Sequence, residues 1–326
     1  MRRVLRVLRV LWSRRGTRVA LIVSALLLVC GLGAEFLASD LPIAVKFRGE
    51  VYLLPNIARP AALRAFDNNT LSSHQDVAWI VRPLCRWGPS QTDLAKAPPA
   101  KPGGTHWLGT DDRGRDVFAR VVHGTRAALV VGVGSVVLAT AIGVLLGLLG
   151  GYFGGRVDFV VGRLTELGLA FPSFFLILAA VAMLGGVSLT AIVLVFGLTR
   201  WMSIARLVRA EVLHLRELDF ILAVRALGAS TPRVIFVHLL PATLRPAIVS
   251  ATLGVSVAIL TEGGLSFLGF GVPPPMASWG EILGQAYDHQ GAWWLILFPG
   301  LALTVTVLAI NAIGEGLRPA LDPRTR

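Results

Sequence analysis

Lysine is almost absent from this sequence, and its scarcity excludes one class of enzyme. The three lysines are Lys46, Lys96 and Lys101, and none of them follows a glycine. The G-x-x-x-x-G-K-[ST] loop that cradles nucleotide phosphates therefore cannot form, so this chain is not itself a P-loop ATPase. The serine-nucleophile pattern G-x-S-x-G and the zinc-binding pattern H-E-x-x-H are also missing. We predict that the chain is not an enzyme, has no catalytic residue and binds no cofactor of its own.

Cysteine and histidine are also scarce. The two cysteines, Cys30 and Cys85, fall in a hydrophobic run and in a loop, so they cannot form a disulfide framework. The six histidines show no paired spacing. The sequence therefore predicts no metal site.

Charge is sparse, whereas long hydrophobic runs are plentiful. Charged residues make up 15% of the 326 residues and hydrophobic residues 54%, with a mean hydropathy of +0.69. Several uncharged runs exceed the ~20 residues that cross a bilayer as a helix. The net charge of +12 comes mainly from arginines at the ends of these runs, which favours membrane orientation over nucleic-acid binding. We predict an all-α integral membrane protein that lies in lipid and binds no nucleic acid.

The pattern divides the chain into five segments. They are a basic N-terminal segment (1–18), a first span (19–38), an extracytoplasmic loop (40–126), a five-helix membrane core (127–316) and a cytoplasmic tail (317–326). A cleavable signal peptide is the alternative for the first span, but the basic region is long and no clear small-x-small site follows. The loop is rich in proline, and its pattern is compatible with either a packed lobe or irregular chain.

Within the core, uncharged runs and glycines predict how the spans are arranged. Gly185 and Gly186 divide a long run into two spans joined by a tight outer turn, and Pro172 is expected to kink the earlier one. Gly132, Gly143 and Gly147 are small enough to let helices approach closely in lipid. With the first span, this gives six transmembrane helices.

Arginine distribution predicts the sides of the membrane. Six arginines lie between Arg206 and Arg245, against three acids, while residues 271–290 contain no lysine or arginine. Both termini and the loop 210–245 are therefore expected to be cytoplasmic. Arg200 and Glu35 are expected near span ends, where a long side chain can reach the interface.

Part of the loop 210–245, residues 219–241, has the pattern of two short helices joined by a turn. Asp219 can cap a helix that begins at Phe220, and Gly228 supplies a left-handed turn. Thr231 is expected to cap a second helix, which Pro241 ends. Several apolar side chains are expected on its surface, namely Phe220, Ile221, Leu222, Val234, Ile235, Phe236 and Leu239. The hairpin could dock into a groove of another protein or lie on the membrane as a re-entrant or interfacial element.

The spacing within this hairpin resembles the EAA loop, EAA-x3-G-x9-I-x-LP, of ABC importer permeases. The matching positions are Leu222, Ala223, Val224, Gly228, Leu240 and Pro241. Leu222 replaces the glutamate of the motif, and His238 stands where isoleucine is usual. The resemblance implies that the hairpin inserts into a groove of a separate ATPase subunit. The residues expected to dock are Phe220, Leu222, Ala223, Arg225, Gly228, Ala229, Leu240 and Pro241.

Two further stretches resemble signatures of the C-type permeases of dipeptide and oligopeptide importers. Residues 106–116, HWLGTDDRGRD, are similar to HPLGTD-x-x-GRD, and residues 261–280 are similar to TEA-x-LSFLG followed by PP-x-PSWG. The resemblance implies a type I (MetI-like) permease fold with an enlarged first periplasmic loop. Glu262 is an ionisable residue inside a predicted span, and we predict a packing or gating role for Glu262, Ser266 and Pro172.

The resemblance implies a permease subunit that carries di- or oligopeptides across a bacterial inner membrane. It also implies a second permease subunit, two ABC ATPase subunits that bind ATP and Mg²⁺, and an extracytoplasmic peptide-binding protein. Nickel and peptide antibiotics such as microcin C remain alternative cargoes. An ion-gradient-driven carrier is the alternative transport class, although the sequence shows no repeated halves, and a membrane enzyme is a third alternative.

Overall fold

The computed structural model describes residues 9–93, 95, 97–184, 188–273 and 275–321, and it is mostly helical. The predicted turn at Gly185 and Gly186, the first part of the basic segment and the end of the tail lie outside these residues. The helices discussed below are α1 Arg15–Leu32, α2 Ala34–Leu37, α3 Pro55–Ala58, α4 Asn68–Ser73, α5 Val117–Phe153, α6 Gly155–Ala170, α7 Ser173–Met183, α8 Leu189–Leu215, α9 Asp219–Ala226, α10 Thr231–Arg233, α11 Leu240–Phe267, α12 Trp279–Asp288 and α13 Trp294–Leu321.

Five of the helical stretches in the described residues are long and apolar enough to cross a membrane. They are α1, α5, α8, the continuous stretch Thr231–Phe267, and α13. The pair α6 and α7 makes a sixth if it is counted as one span, but it is bent by 86°. The break lies at Phe171 and Pro172, where the sequence predicted a kink, because proline has no amide hydrogen to continue the helix. These helices bear out the all-α membrane fold.

The described residues form two compact units. One comprises Val23–Leu129 with Glu262–Thr306, and the other comprises the described parts of Met1–Ile22, Val130–Thr261 and Val307–Arg326. Helices α5 and α11 each contribute to both units. The first unit contains the loop between α2 and α5, and the second contains the hairpin.

Glycines bring α5 and α8 together in the second unit. A Cβ atom on Gly143 would lie 2.8 Å from the carbonyl oxygen of Trp201, and one on Gly147 would lie 2.7 Å from that of Ala205. A Cβ on Gly132 would likewise meet the side chain of Ile259 at 2.7 Å. Because hydrophobic burial drives little association between helices in lipid, such close approach supplies much of the contact energy. The prediction that these glycines let helices approach closely is confirmed.

The loop between α2 and α5 is a packed lobe, the first of the two alternatives that its sequence left open. A three-stranded antiparallel sheet of β1 Ala44–Phe47, β2 Glu50–Leu53 and β3 Val77–Val81 has the order β2-β1-β3. Alternate residues of β1 point inward. They join a small buried core of Leu41, Val45, Phe47, Leu63 and Leu71.

The helix ends of the hairpin differ from those predicted. Asp219 does not cap α9 but is its first residue, after Leu218 in the cap position, and Ser230 rather than Thr231 occupies the cap position of α10. Neither cap residue makes a side-chain hydrogen bond to the helix. An acidic side chain within the first turn still interacts favourably with the positive end of a helix dipole.

Pro241 was predicted to end the second helix, and this prediction is wrong. The chain continues from α10 through the π-helical segment Val234–Leu239 into α11 without a break. The amide of Leu240 bonds to the carbonyl of Ile235, five residues back. This wider turn removes the normal partner carbonyls from the path of the proline ring, so the helix can pass through Pro241. The second arm of the hairpin is therefore the first part of a membrane-spanning helix.

Candidate functional site

The hairpin is anchored by one apolar face. Ile221, Val234 and Leu239 are fully buried and pack into a core formed with α5, α8 and α11. The buried members of this core are Ala139, Val144, Leu148, Ile204, Val208, Val212, Ile221, Val234, Leu239 and Ala247. Because proteins pack their cores closely, the hairpin is joined firmly to the membrane helices.

The other face of the hairpin is exposed and apolar. Of the residues expected to dock, Phe220, Leu222, Ala223, Arg225, Gly228 and Pro241 are exposed, and Ala229 and Leu240 are half-buried. Leu227, whose surface is 87% exposed at the tip, and Val237 also lie on this face, although neither was among the predicted docking residues. The position of Leu227 directly before the glycine of the turn is the sequence feature that could have indicated its exposure. The structure thus divides the predicted apolar set into an anchoring face and an exposed face.

The turn requires glycine for its backbone conformation. Gly228 has a φ of +81°, and its amide donates to Arg225 O at 3.0 Å while the amide of Ala229 donates to Val224 O at 3.2 Å. These are the two bonds of a Schellman motif, which ends a helix with a left-handed residue. A Cβ atom at this position would meet nothing within 4 Å, so the constraint on Gly228 is conformational rather than steric.

Polar contacts hold the base of the hairpin. Arg209 in α8 forms an ion pair with Asp158 in α6, with Nη2 2.8 Å from Oδ2. Arg216, next to the end of α8, donates to the carbonyl of Gly151 at 2.9 Å. Sequence reasoning had used these charges only to orient the chain in the membrane. Their positions link α5, α6 and α8 just before the hairpin begins.

Glu262 is buried, and two hydroxyl groups donate to one of its carboxyl oxygens. Ser266 Oγ lies 2.6 Å from Glu262 Oε1, and Ser278 Oγ lies 2.8 Å from the same oxygen. Ser278 also occupies the cap position of α12. The carboxyl therefore ties the end of α11 to the start of α12, a contact made within one unit. Pro172, the third residue of that predicted group, lies at the break between α6 and α7.

The stretch that resembles HPLGTD-x-x-GRD forms a buried ion-pair network. Arg115 Nε lies 2.6 Å from Asp111 Oδ2, and Arg115 Nη2 lies 3.0 Å from Glu281 Oε1. Arg120 contacts the same two carboxylates. Burial alone would lower the pKa of the Arg115 guanidinium, but the charges of Asp111 and Glu281 raise it overall. Sequence reasoning missed Glu281 and Arg120, since no local pattern connects residues so far apart in the chain.

His106 lies between two carboxylates in the same unit. Its Nδ1 is 2.7 Å from Asp116 Oδ2, its Nε2 is 3.1 Å from Asp93 Oδ2, and Trp87 stacks on its ring at 4.7 Å. Burial by itself would lower the pKa of His106, but the hydrogen bonds and charges of Asp116 and Asp93 outweigh burial and raise that pKa. The described part of the chain holds no group of three or more histidine, cysteine or acidic side chains arranged for a metal ion.

Comparisons with known proteins give consistent matches. The family model for the binding-protein-dependent transport system inner membrane component matches residues 143–326. The dipeptide transport system permease protein DppC of Alkalihalophilus pseudofirmus is 45% identical over 226 residues, which cover 69% of this chain and 74% of that protein. A protein of Brucella suis biovar 1 named for a peptide permease is 44% identical over 239 residues, covering 72% of this chain and 78% of its own length.

Proposed function

The chain belongs to the family of binding-protein-dependent transport inner membrane components, and on this premise we propose that it is a permease subunit of an ATP-driven ABC importer for di- or oligopeptides. The names of its relatives, a dipeptide permease and a peptide permease, support this cargo. The observation that carries the proposal is the hairpin, which exposes apolar side chains while its opposite face is buried in the membrane core.

The proposed assembly has further subunits. A second permease subunit would complete the membrane part, and two ABC ATPase subunits would bind ATP and Mg²⁺ at the cytoplasmic side. An extracytoplasmic peptide-binding protein would deliver the cargo. The protein is multi-pass, and the clusters of arginine support placing both termini and the hairpin in the cytoplasm of a bacterium.

In this proposal the hairpin works as a lever. Nucleotide binding would draw the ATPase subunits together, and the exposed face of the hairpin would move with them. Because Ile221, Val234 and Leu239 are buried among α5, α8 and α11, the movement would pass to those helices. An almost complete switch between two packings requires that nucleotide favour one of them by about 5 kcal/mol.

Charged substitutions on the exposed face test the docking role. We expect Leu227→Glu, alone or combined with Phe220→Glu, to weaken copurification of the ATPase subunits by at least about tenfold, because docking would bury an unpaired charge. ATP-dependent peptide uptake should fall in parallel. Leu53→Glu is the matched control, since Leu53 is also a strongly exposed leucine but lies on β2, outside the hairpin.

Gly228→Val provides an independent variant, because a branched side chain is strained at a φ of +81°. It should reduce both the copurification of the ATPase subunits and ATP-dependent peptide uptake without adding a charge. Intact ATPase binding and intact uptake in both kinds of variant would rule out the docking role. Uptake by the chain alone, driven by an ion gradient without ATP, would replace the proposal with a secondary carrier.

A further inference from the structure

A cavity of about 520 Å³ lies inside the unit that contains the hairpin. Its walls come from the central turns of α5, α8 and α11 and from the break between α6 and α7. Each of these long helices contributes residues near its middle, so the cavity lies about halfway along the candidate membrane spans. Irregular backbone at that depth is tolerated where it is buried or lines a cavity, and Phe171 and Pro172 line this one.

Arg200 is the one charged residue among the lining residues of this cavity. The sequence placed it near the end of a span, where it could reach the interface, but the structure places it in the middle of α8. Among the described residues it has no acidic partner within 4 Å and forms no side-chain hydrogen bond. An arginine at such depth is costly and normally faces a partner or a water-filled path. Its position therefore leaves an uncompensated positive charge at the cavity.

The remaining polar groups of the cavity suit an anion as well. Ser173, Ser203 and Ser250 bring hydroxyl groups, and no aspartate or glutamate lines the wall. Ser173 is also the first residue of α7, whose opening amide groups have no partner within the helix. A volume of this size is in the range of sites for small organic ligands. A cationic group would be repelled here, whereas a carboxylate would find a charge and several donors.

We propose that Arg200 and this cavity form a subsite for the carboxylate of a peptide in transit. The assignment rests on the proposed peptide cargo, because a free peptide carries a carboxylate at its C-terminal end. The apolar part of the wall, which includes Val136 and Leu253, accommodates side chains without selecting among them. The subsite therefore recognises a group that all unblocked peptides share.

The test uses the complete assembly in proteoliposomes, with its binding protein and ATPase subunits. ATP-dependent uptake of a tripeptide with a free carboxylate is compared with uptake of the same tripeptide as its C-terminal amide. Each is measured in the unsubstituted assembly, in Arg200→Gln and in Arg200→Lys. Any preference of the binding protein for the carboxylate is the same in all three, so it cancels when the carboxylate-to-amide uptake ratios are compared.

In Arg200→Gln we expect the carboxylate-to-amide uptake ratio to fall about tenfold, the effect of losing a hydrogen bond to a charged group. Arg200→Lys should restore much of the ratio, since it keeps the charge. Arg163→Gln is the control, because Arg163 is an exposed arginine paired with Glu166 on α6, away from the cavity. It should leave the ratio unchanged.

Two results would overturn the subsite. One is an unchanged ratio in Arg200→Gln, and the other is an equal loss of both peptides, which would assign Arg200 to helix packing. Failure of the unsubstituted assembly to import either tripeptide with ATP would instead count against the proposed function. The two failures are therefore distinguishable.

Discussion

His106 makes the clearest residue-scale prediction, because it contacts two carboxylates. Its pKa is raised in the folded protein, so its protonated form stabilises the fold. This stabilisation is fully present below the unfolded-state pKa of about 6.5 and is lost as pH rises through the raised folded-state pKa. We expect His106→Gln to lower the Tm of the purified protein more at about pH 5.5 than at about pH 9.

His289 provides the control for this experiment. Its Nδ1 lies 3.1 Å from the carbonyl oxygen of Gln285, and it forms no ion pair with a carboxylate among the described residues. His289→Gln should therefore lower the Tm by a similar amount at both pH values. A loss of Tm in His106→Gln that is equal at both pH values, or larger in alkali, would contradict the role assigned to the ion pairs.

For single residues, the sequence predicted which residue a backbone position needs better than it predicted which side chains come into contact. The Gly228 turn was predicted correctly, because a left-handed residue between two helical patterns has few alternatives. The partners of His106 were not, because Asp93 and Asp116 come into contact with it only when the loop folds. Leu227 was missed for a related reason: apolar pattern alone does not say whether a leucine is anchored or exposed.

At the scale of elements, the contact between α5 and α8 gives a direct test of glycine packing. A Cβ atom on Gly147 would lie 2.7 Å from Ala205 O and 2.8 Å from Val208 Cβ, and the backbone oxygen cannot move without shifting α8. We expect Gly147→Ala to destabilise the protein by about 1–3 kcal/mol, as overpacking does. Thermal unfolding of the purified protein in detergent would show this as a lower Tm.

The matched control is Gly162→Ala in α6. A Cβ atom at Gly162 meets nothing within 4 Å, and alanine favours a helix over glycine by up to about 1 kcal/mol. Its Tm should be unchanged or higher. If Gly147→Ala behaved like Gly162→Ala, α5 and α8 would not be packed as closely as described.

The pattern of uncharged runs and prolines predicted which helices exist but not all of their boundaries. The spans were recognisable from long uncharged runs, and Pro172 marked a break that the structure confirms. Pro241 misled the same reasoning, because a π-helical turn accommodates that proline within a continuous helix. Proline therefore breaks the helix at Pro172 but not at Pro241, which directly follows the π-helical segment and Leu240.

For the whole molecule, the distribution of arginine predicts which parts face which side of the membrane. Leu227 at the tip of the hairpin and Leu53 on β2 of the packed lobe are 87% and 72% exposed, so both suit a cysteine label. We expect a membrane-impermeant maleimide to label Leu53→Cys in intact spheroplasts. When the chain is produced without its ATPase subunits, which would cover the hairpin tip, the reagent should label Leu227→Cys only after the membrane is permeabilised.

The native cysteines allow this experiment without a cysteine-free background. Maleimides react with the thiolate, and burial raises the pKa of Cys85 to about 12, which leaves that thiol inert. Cys30 lies within α1, in a candidate membrane span, where a water-soluble reagent has little access. The unsubstituted chain should therefore give little signal on either side. Labelling of Leu227→Cys in intact spheroplasts would place the hairpin outside the cell, where no ATP-binding subunit could reach it, and would contradict both the topology and the docking role.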